Sequence, residues 1–173
     1  SNLIITMYFI GYDLGSSSLK TALVDSETGE TLTVIKTPAE ELGIDAPHPG
    51  WAEQNPELWW QCICEGTRKI LSKTKVAPEA ISGIGIAYQM HGLVTLDDTG
   101  QCVRPAIIWC DSRAVSIGEQ TLKELGETQC EEQLLNEPGN FTASKLRWVQ
   151  QEEPEAFEKT ETFFLPGDYI AYR

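Results

Sequence analysis

MYFIGYDLGSSSLKTALVDSETGETLTVIKT, residues 7–37, is the stretch whose reading decides the fold. MYFIGYDLG, residues 7–15, reads as a short buried strand running into a turn, its aromatic and β-branched residues ending at Gly15 and three serines. LKTALVD, residues 19–25, alternates more loosely and reads as a second strand. Glu27, Thr28, Gly29 and Glu30 make a tight turn, and residues 31–37, alternating around Leu32, Val34 and Ile35, make a third strand. Connections this short leave no room for a crossover, so the three strands must be antiparallel neighbours.

Outward from there, residues 38–55 read as a loop carrying Pro47, Pro49 and Gly50. Asn55, Pro56 and Glu57 are a helix start: a preferred N-cap, a proline fitted to the first turn and a carboxylate at the positive end of the dipole. Leu58, Cys62, Ile63, Gly66, Ile70 and Leu71 recur at helical spacing, which carries the helix to about Lys73. Trp59 and Trp60 cannot share a face, so one is expected on the sheet and the other on the preceding loop. ISGIGIAYQ, residues 81–89, reads as a fourth, buried strand of parallel type whose glycines permit close packing. A strand, a turn at Asp98, Thr99 and Gly100, and another strand follow; helical patterns cover residues 112–125, 142–151 and the stretch from 167. The order specifies an α/β fold, a mixed sheet with three antiparallel N-terminal strands and flanking helices. It matches the ribonuclease H-like core shared by actin, the sugar kinases and several nucleases, an analogy of fold that assigns no chemistry.

The 173 residues suffice for one core-bearing domain, and 41% hydrophobic residues argue against disorder. Twenty-six acidic against 13 basic side chains leave a net charge of −13, which disfavours nucleic acid and anionic membranes as partners. No apolar run approaches a membrane span and the N-terminus lacks a signal peptide's pattern, so a cytoplasmic protein is expected, with residues 1–6 an extension ahead of Met7. The cysteines (62, 64, 102, 110 and 130) are odd in number and scattered, which suits reduced thiols.

Three segments can carry chemistry. DLGSSSLK, residues 13–20, places Asp13 at a strand end before a Gly-Ser turn. Backbone N–H groups and hydroxyls at Gly15, Ser16 and Ser17 can meet phosphate oxygens, Asp13 can hold Mg2+, and Lys20 can add a cation; a plain hairpin turn is the alternative. YQMHGLVTLD, residues 88–97, sets Gln89, Met90 and His91 just past the glycine-rich strand, where open α/β sheets bind ligands; here the alternative is a hydrogen-bonded structural histidine. AIIWCDSR, residues 106–113, delivers Trp109, Asp111 and Arg113. Trp109 can wall the carbon face of a sugar, while Asp111 and Arg113 read as ligand contacts or as a cap and local ion pair. A ribonuclease H-type nuclease would need clustered carboxylates and a basic face; a non-catalytic sugar-binding or actin-like module stays open.

These segments, in this order, with PHPGWAEQNPELWW (47–60), NFTASKLRWVQ (140–150) and LPGDYIAYR (165–173), resemble the FGGY carbohydrate kinases from Met7 to Arg173. DLGSSSLK resembles the family's opening phosphate motif, with Ser16 where threonine is usual. QMHG, residues 89–92, looks like the xylulose kinases, where glycerol kinases carry an Arg-Glu pair. Asn140 stands where glycerol kinases tend to carry a substrate-facing aromatic. The resemblance implies transfer of a phosphoryl group from Mg2+-bound ATP to D-xylulose. It gives the ketose to Met90, His91 and Trp109, with Gln89 beside them, and the Mg–ATP phosphates to Asp13, Gly15, Ser16, Ser17 and Lys20. It implies an incomplete N-terminal, sugar-binding domain over residues 7–173, with the general-base aspartate and a second domain beyond Arg173, so that this portion alone is inactive. A homodimer is the assembly entertained for the full-length protein, and another ketopentose or a polyol is the alternative substrate.

Overall fold

In the computed structural model the described residues are 6–173, so the expected N-terminal extension falls, but for Thr6, outside them. β1 (Tyr8–Leu14), β2 (Leu19–Asp25) and β3 (Thr31–Thr37) form the antiparallel meander read from the sequence, with Leu14 opposite Leu19 and Leu19 opposite Thr37. Gly15 N–H closes the first turn on Ser18 O at 3.0 Å. In the second, Asp25 Oδ1 accepts the N–H groups of Glu27 at 2.8 Å and Thr28 at 2.9 Å, and Gly29 takes φ +73°, which costs glycine nothing.

α1 (Pro56–Thr74) returns the chain so that β5 (Ile81–Tyr88) pairs parallel to β1, giving the order β3-β2-β1-β5. Leu14, Leu19, Leu23, Trp59 and Ile70 are wholly buried, each such aliphatic side chain contributing roughly 1.5–3 kcal/mol. Gly66 sets the approach of α1, because a Cβ there would collide with Thr21 Oγ1 and lie 3.3 Å from Thr37 Oγ1. Thr37 Oγ1 donates to Cys62 O at 3.1 Å, and Tyr12 Oη shares a 2.5 Å hydrogen bond with Thr67 Oγ1.

Two expectations need correction here. The buried stripe of α1 is Trp59, Cys62, Ile63, Gly66 and Ile70, whereas Leu58 is exposed. β5 is not buried: among the described residues it pairs only with β1, which makes it an edge, and Ile84 is 62% exposed.

The chain divides into two compact units. One comprises the segment ending at Gly43, Glu57–Tyr88 and Ile170–Arg173, and holds the four-stranded sheet and α1. The other comprises Ile44–Pro56 and Gln89–Tyr169. In the second unit β4 (Glu53–Gln54) pairs with β7 (Ala106–Ile107), and β6 (Val94–Leu96) with β8 (Thr162–Phe164), all antiparallel. Its helices are α2 (Val115–Leu125), α3 (Glu127–Leu134), α4 (Thr142–Glu152) and α5 (Pro154–Lys159); α6 (Pro166–Tyr172) ends the chain. Leu93, Ile107 and Val149 form its core, with Leu146, Trp148, Ala156 and Phe157 against them. A Cβ on Gly118 of α2 would overlap the backbone of Gly139, so this contact is backbone on backbone.

Candidate functional site

In the first unit, β1 alternates Ile10, Tyr12 and Leu14 inward with Phe9 and Asp13 outward. Asp13 is therefore exposed at the strand's last outward position, and the register sets it directly opposite exposed Lys20 on β2. Between them lies the Gly15–Ser18 turn, where a Cβ on Gly15 would stand 3.3 Å from Ser18 O. Ser16 is partly exposed and Ser17 exposed. Carboxylate, small turn and ammonium thus share one strand end, as the sequence suggested. The geometry suits a hydrated cation and phosphate oxygens without committing the turn to either.

In the second unit, the segments carrying His91 and Trp109 run side by side. Leu93 N–H donates to Ile107 O at 2.8 Å and Ile107 N–H returns to Leu93 O at 3.1 Å. His91 precedes this antiparallel bridge by two residues and Trp109 follows it by two. Met90 (63%) and Trp109 (45%) are both exposed, large apolar side chains presented to solvent. Gln89 is different: its side-chain amide is buried, and neither Nε2 nor Oε1 has a hydrogen-bond partner among the described residues. Burying such a group unpaired costs about 1–3 kcal/mol.

His91 has φ +63°, in the left-handed region. A non-glycine residue there bears a strain of roughly 1–2 kcal/mol, so the surroundings must hold it. They do so from α4 and the residues before it. Thr142 Oγ1 donates to Gly92 O at 3.1 Å, Lys145 Nζ donates to His91 O at 2.8 Å, and the Phe141 ring lies 5.0 Å from the imidazole, centroid to centroid. Lys145 also donates to Asn140 Oδ1 at 3.1 Å and is wholly buried, which lowers its pKa from 10.5 to about 8 against the raising influence of Asp111 and Cys110. Burial first, and the Lys145 charge second, hold His91 below the usual histidine value, which favours the neutral imidazole. His91 and Phe141 border a cleft of about 540 Å3 with Leu146, Arg147, Gln150 and Phe163. Its wall is mostly apolar and excludes Met90 and Trp109, a poor match for a polyhydroxylated ligand.

Asp111 and Arg113 form the local ion pair, whereas the helix cap is not seen: α2 begins after Ala114 with no side-chain cap. Arg113 Nη2 donates to Asp111 Oδ2 at 2.7 Å and contacts Glu53 Oε1 at 2.8 Å, while Asp111 Oδ2 accepts Ala52 N–H at 2.6 Å. The guanidinium lies 3.8 Å from the Trp51 ring centroid and 4.9 Å from that of Trp148. Glu53 and Glu153 also bind Arg104, at 2.7 Å and 2.6 Å. No group of three or more metal-ligating side chains occurs among the described residues, and all five cysteines are free. No described helix is long and apolar enough to cross a membrane.

The residues that sequence reasoning missed are Lys145, Thr142, Phe141 and, in its actual role, Asn140. One signal was available: Lys145 stands four residues after Phe141 and four before buried Val149, a charge on the inward stripe of α4.

Residues 8–173 match the N-terminal domain of the FGGY family of carbohydrate kinases. The chain is 39% identical over 167 residues to a xylulose kinase of Escherichia coli (strain K12), covering 95% of this chain and 33% of that protein. It is 36% identical over 163 residues to one of Staphylococcus epidermidis, covering 94% and 32%. Its backbone superposes with TM-score 0.84 and 31% identity on the crystal structure of a xyloylose kinase from Brucella ovis, over 95% of this chain and 33% of that one. A gluconate kinase from Lactobacillus acidophilus, at TM-score 0.82 and 22% identity over 96% and 33%, shares the fold. The expected ribonuclease H-like, actin-like ATPase fold is thus the observed one, and the chain spans about one third the length of the curated relatives it matches.

Proposed function

Because the chain belongs to the FGGY family of carbohydrate kinases, we propose that it is the sugar-binding portion of an ATP-dependent kinase that converts D-xylulose to D-xylulose 5-phosphate. The observation that carries this reading is the turn at residues 89–92, with a strained His91 held by α4 beside an orphaned Gln89 amide. Strain and an unpaired buried amide are features that a fold tolerates where a ligand makes use of them. The xylulose kinases among its relatives favour a ketopentose as that ligand.

Under this reading His91 exchanges hydrogen bonds with ketose hydroxyls, Gln89 supplies a further donor and acceptor, and Met90 and Trp109 cover the carbon skeleton. On the first unit, Asp13 would hold Mg2+, while the N–H groups and hydroxyls of Gly15, Ser16 and Ser17, with Lys20, would meet phosphate oxygens. The exposure of Asp13 and Lys20 across a turn without a Cβ at Gly15 fits that load. When bound, Mg–ATP supplies the γ-phosphoryl group and part of the charge neutralisation its transfer needs. The chain's own contribution is orientation of the acceptor hydroxyl and of the phosphates.

The residue that accepts the hydroxyl proton, the adenine pocket and the second domain belong, on this account, to the remaining two thirds of the full-length protein, a cytoplasmic homodimer. The 173-residue chain alone binds ketose weakly and turns none over. A thermal-shift panel on the full-length protein tests the substrate: D-xylulose should raise Tm more than L-xylulose, ribulose or glycerol, and a larger shift with glycerol would sink the assignment.

A further inference from the structure

α4 reaches the turn at residues 89–92 twice. Thr142 Oγ1 takes the Gly92 carbonyl at 3.1 Å and, one helical turn on, Lys145 Nζ takes the His91 carbonyl at 2.8 Å. Two consecutive carbonyls are held, and the first belongs to the residue at φ +63°. The imidazole rests against Phe141, whose ring is 5.0 Å away. Lys145 is wholly buried, and its two hydrogen-bond acceptors, His91 O and Asn140 Oδ1, are both uncharged. Asp111, Cys110 and Arg113 are the charged or titratable groups whose fields reach it, besides the imidazole itself. An ammonium withdrawn from water without a directly bonded carboxylate is costly, and packing alone would be served as well by methionine. What methionine cannot do is donate to the His91 carbonyl.

We infer that Lys145 is a positioning residue for His91: its ammonium, seated on the His91 carbonyl, fixes the left-handed turn that presents the imidazole. A neutral imidazole can accept one hydrogen bond and donate another to neighbouring hydroxyls, whereas the imidazolium can only donate. The purpose of this arrangement rests on the reading of His91 as a sugar contact; the arrangement itself is a property of this chain.

The chain has two histidines, His48 and His91, and NMR of the labelled imidazoles gives a test. In the unmodified chain the His91 ring signals should titrate below 6.5 and inflect a second time near pH 8, where Lys145 loses its proton. Cys110→Ser should leave that second inflection in place. In Lys145→Met it should vanish, the His91 midpoint should rise toward 6.5, and the nuclear Overhauser contact between His91 and Phe141 should weaken. Thr142→Val keeps the charge and should leave the midpoint alone. In the full-length kinase, Lys145→Met should raise the ketose KM on the order of tenfold or more with the ATP KM unchanged. Lys145→Arg should recover part of the loss. A folded Lys145→Met chain with an unmoved midpoint and ring contact would overturn the inference. So would the absence of the His91–Phe141 ring contact in the unmodified chain, which needs no variant to fold. If the NMR signatures appear but the full-length protein ignores ketoses, the substrate assignment fails and the positioning role stands.

Discussion

Arg113 closes on the carboxylate of Asp111 across a single intervening residue, with Nε at 3.0 Å from both oxygens and Nη2 at 2.7 Å from one. Both side chains are buried, and Asp111 also receives the Ala52 N–H. Removing Asp111 leaves buried Arg113 with Glu53, a carboxylate it shares with Arg104, at a cost of up to about 3–5 kcal/mol. Asp111→Ala should therefore lower the urea midpoint steeply without changing the slope of the transition. An Asp111→Ala protein of unaltered stability with a raised ketose KM would favour the ligand-contact reading of Asp111 instead.

Gly66 and Gly85 should respond differently to alanine. A methyl group at Gly66 meets Thr21 Oγ1 and must push α1 off β2, an overpacking cost of about 1–3 kcal/mol. A methyl group at Gly85 meets nothing within 4 Å and should change stability by no more than about 0.5 kcal/mol. Equal thermal denaturation midpoints for the two variants would show that Gly66 does not set the spacing.

The lowered pKa of His91 predicts the sign of two pH effects. The folded chain binds a proton at His91 less readily than the unfolded chain, whose imidazole titrates near 6.5. The unfolded state therefore holds more protons as pH falls below 6.5, and His91's contribution to stability, full above that value, is lost through the folded-state pKa. His91→Asn should flatten this acid-side slope. If His91 contacts the ketose as proposed, the ketose KM of the full-length protein should rise over the same window, as the imidazole loses its acceptor lone pair, while the ATP KM stays level.

Asp13 is exposed and contributes to no core, so Asp13→Asn should leave the denaturation midpoint unchanged. If the carboxylate holds the metal of Mg–ATP, the same change should lower kcat by on the order of 10²–10³-fold with the ketose KM unaltered. Loss of ketose affinity instead would misplace the phosphate side.

What the sequence made legible follows the strength of each local signal. β2 and β3 could be read to the residue, and β1 to within one, because alternation and two tight turns coincide there, and the start of α1 because Asn55, Pro56 and Glu57 mark it. β4 and β8 span two and three residues, too few for a period to show. α3 buries only Cys130, so it has no apolar stripe to find. The exposure of β5 depends on what pairs with its outer edge, which no local pattern encodes. His91, Met90 and Trp109 were named as candidates from motif and position. The hold on His91 was not: it is a hydrogen bond from a side chain to a backbone carbonyl 54 residues away, and a carbonyl has no letter in the sequence.

Ketose-dependent ADP formation by the full-length protein, with D-xylulose and glycerol assayed side by side, tests the central claim most directly. The account predicts kcat/KM for D-xylulose above that for glycerol by on the order of 10²-fold or more, since a site built around buried polar groups loses their hydrogen bonds when the matching hydroxyls are missing. Glycerol turned over as well as D-xylulose, or ADP released at the same rate with no sugar present, would contradict it.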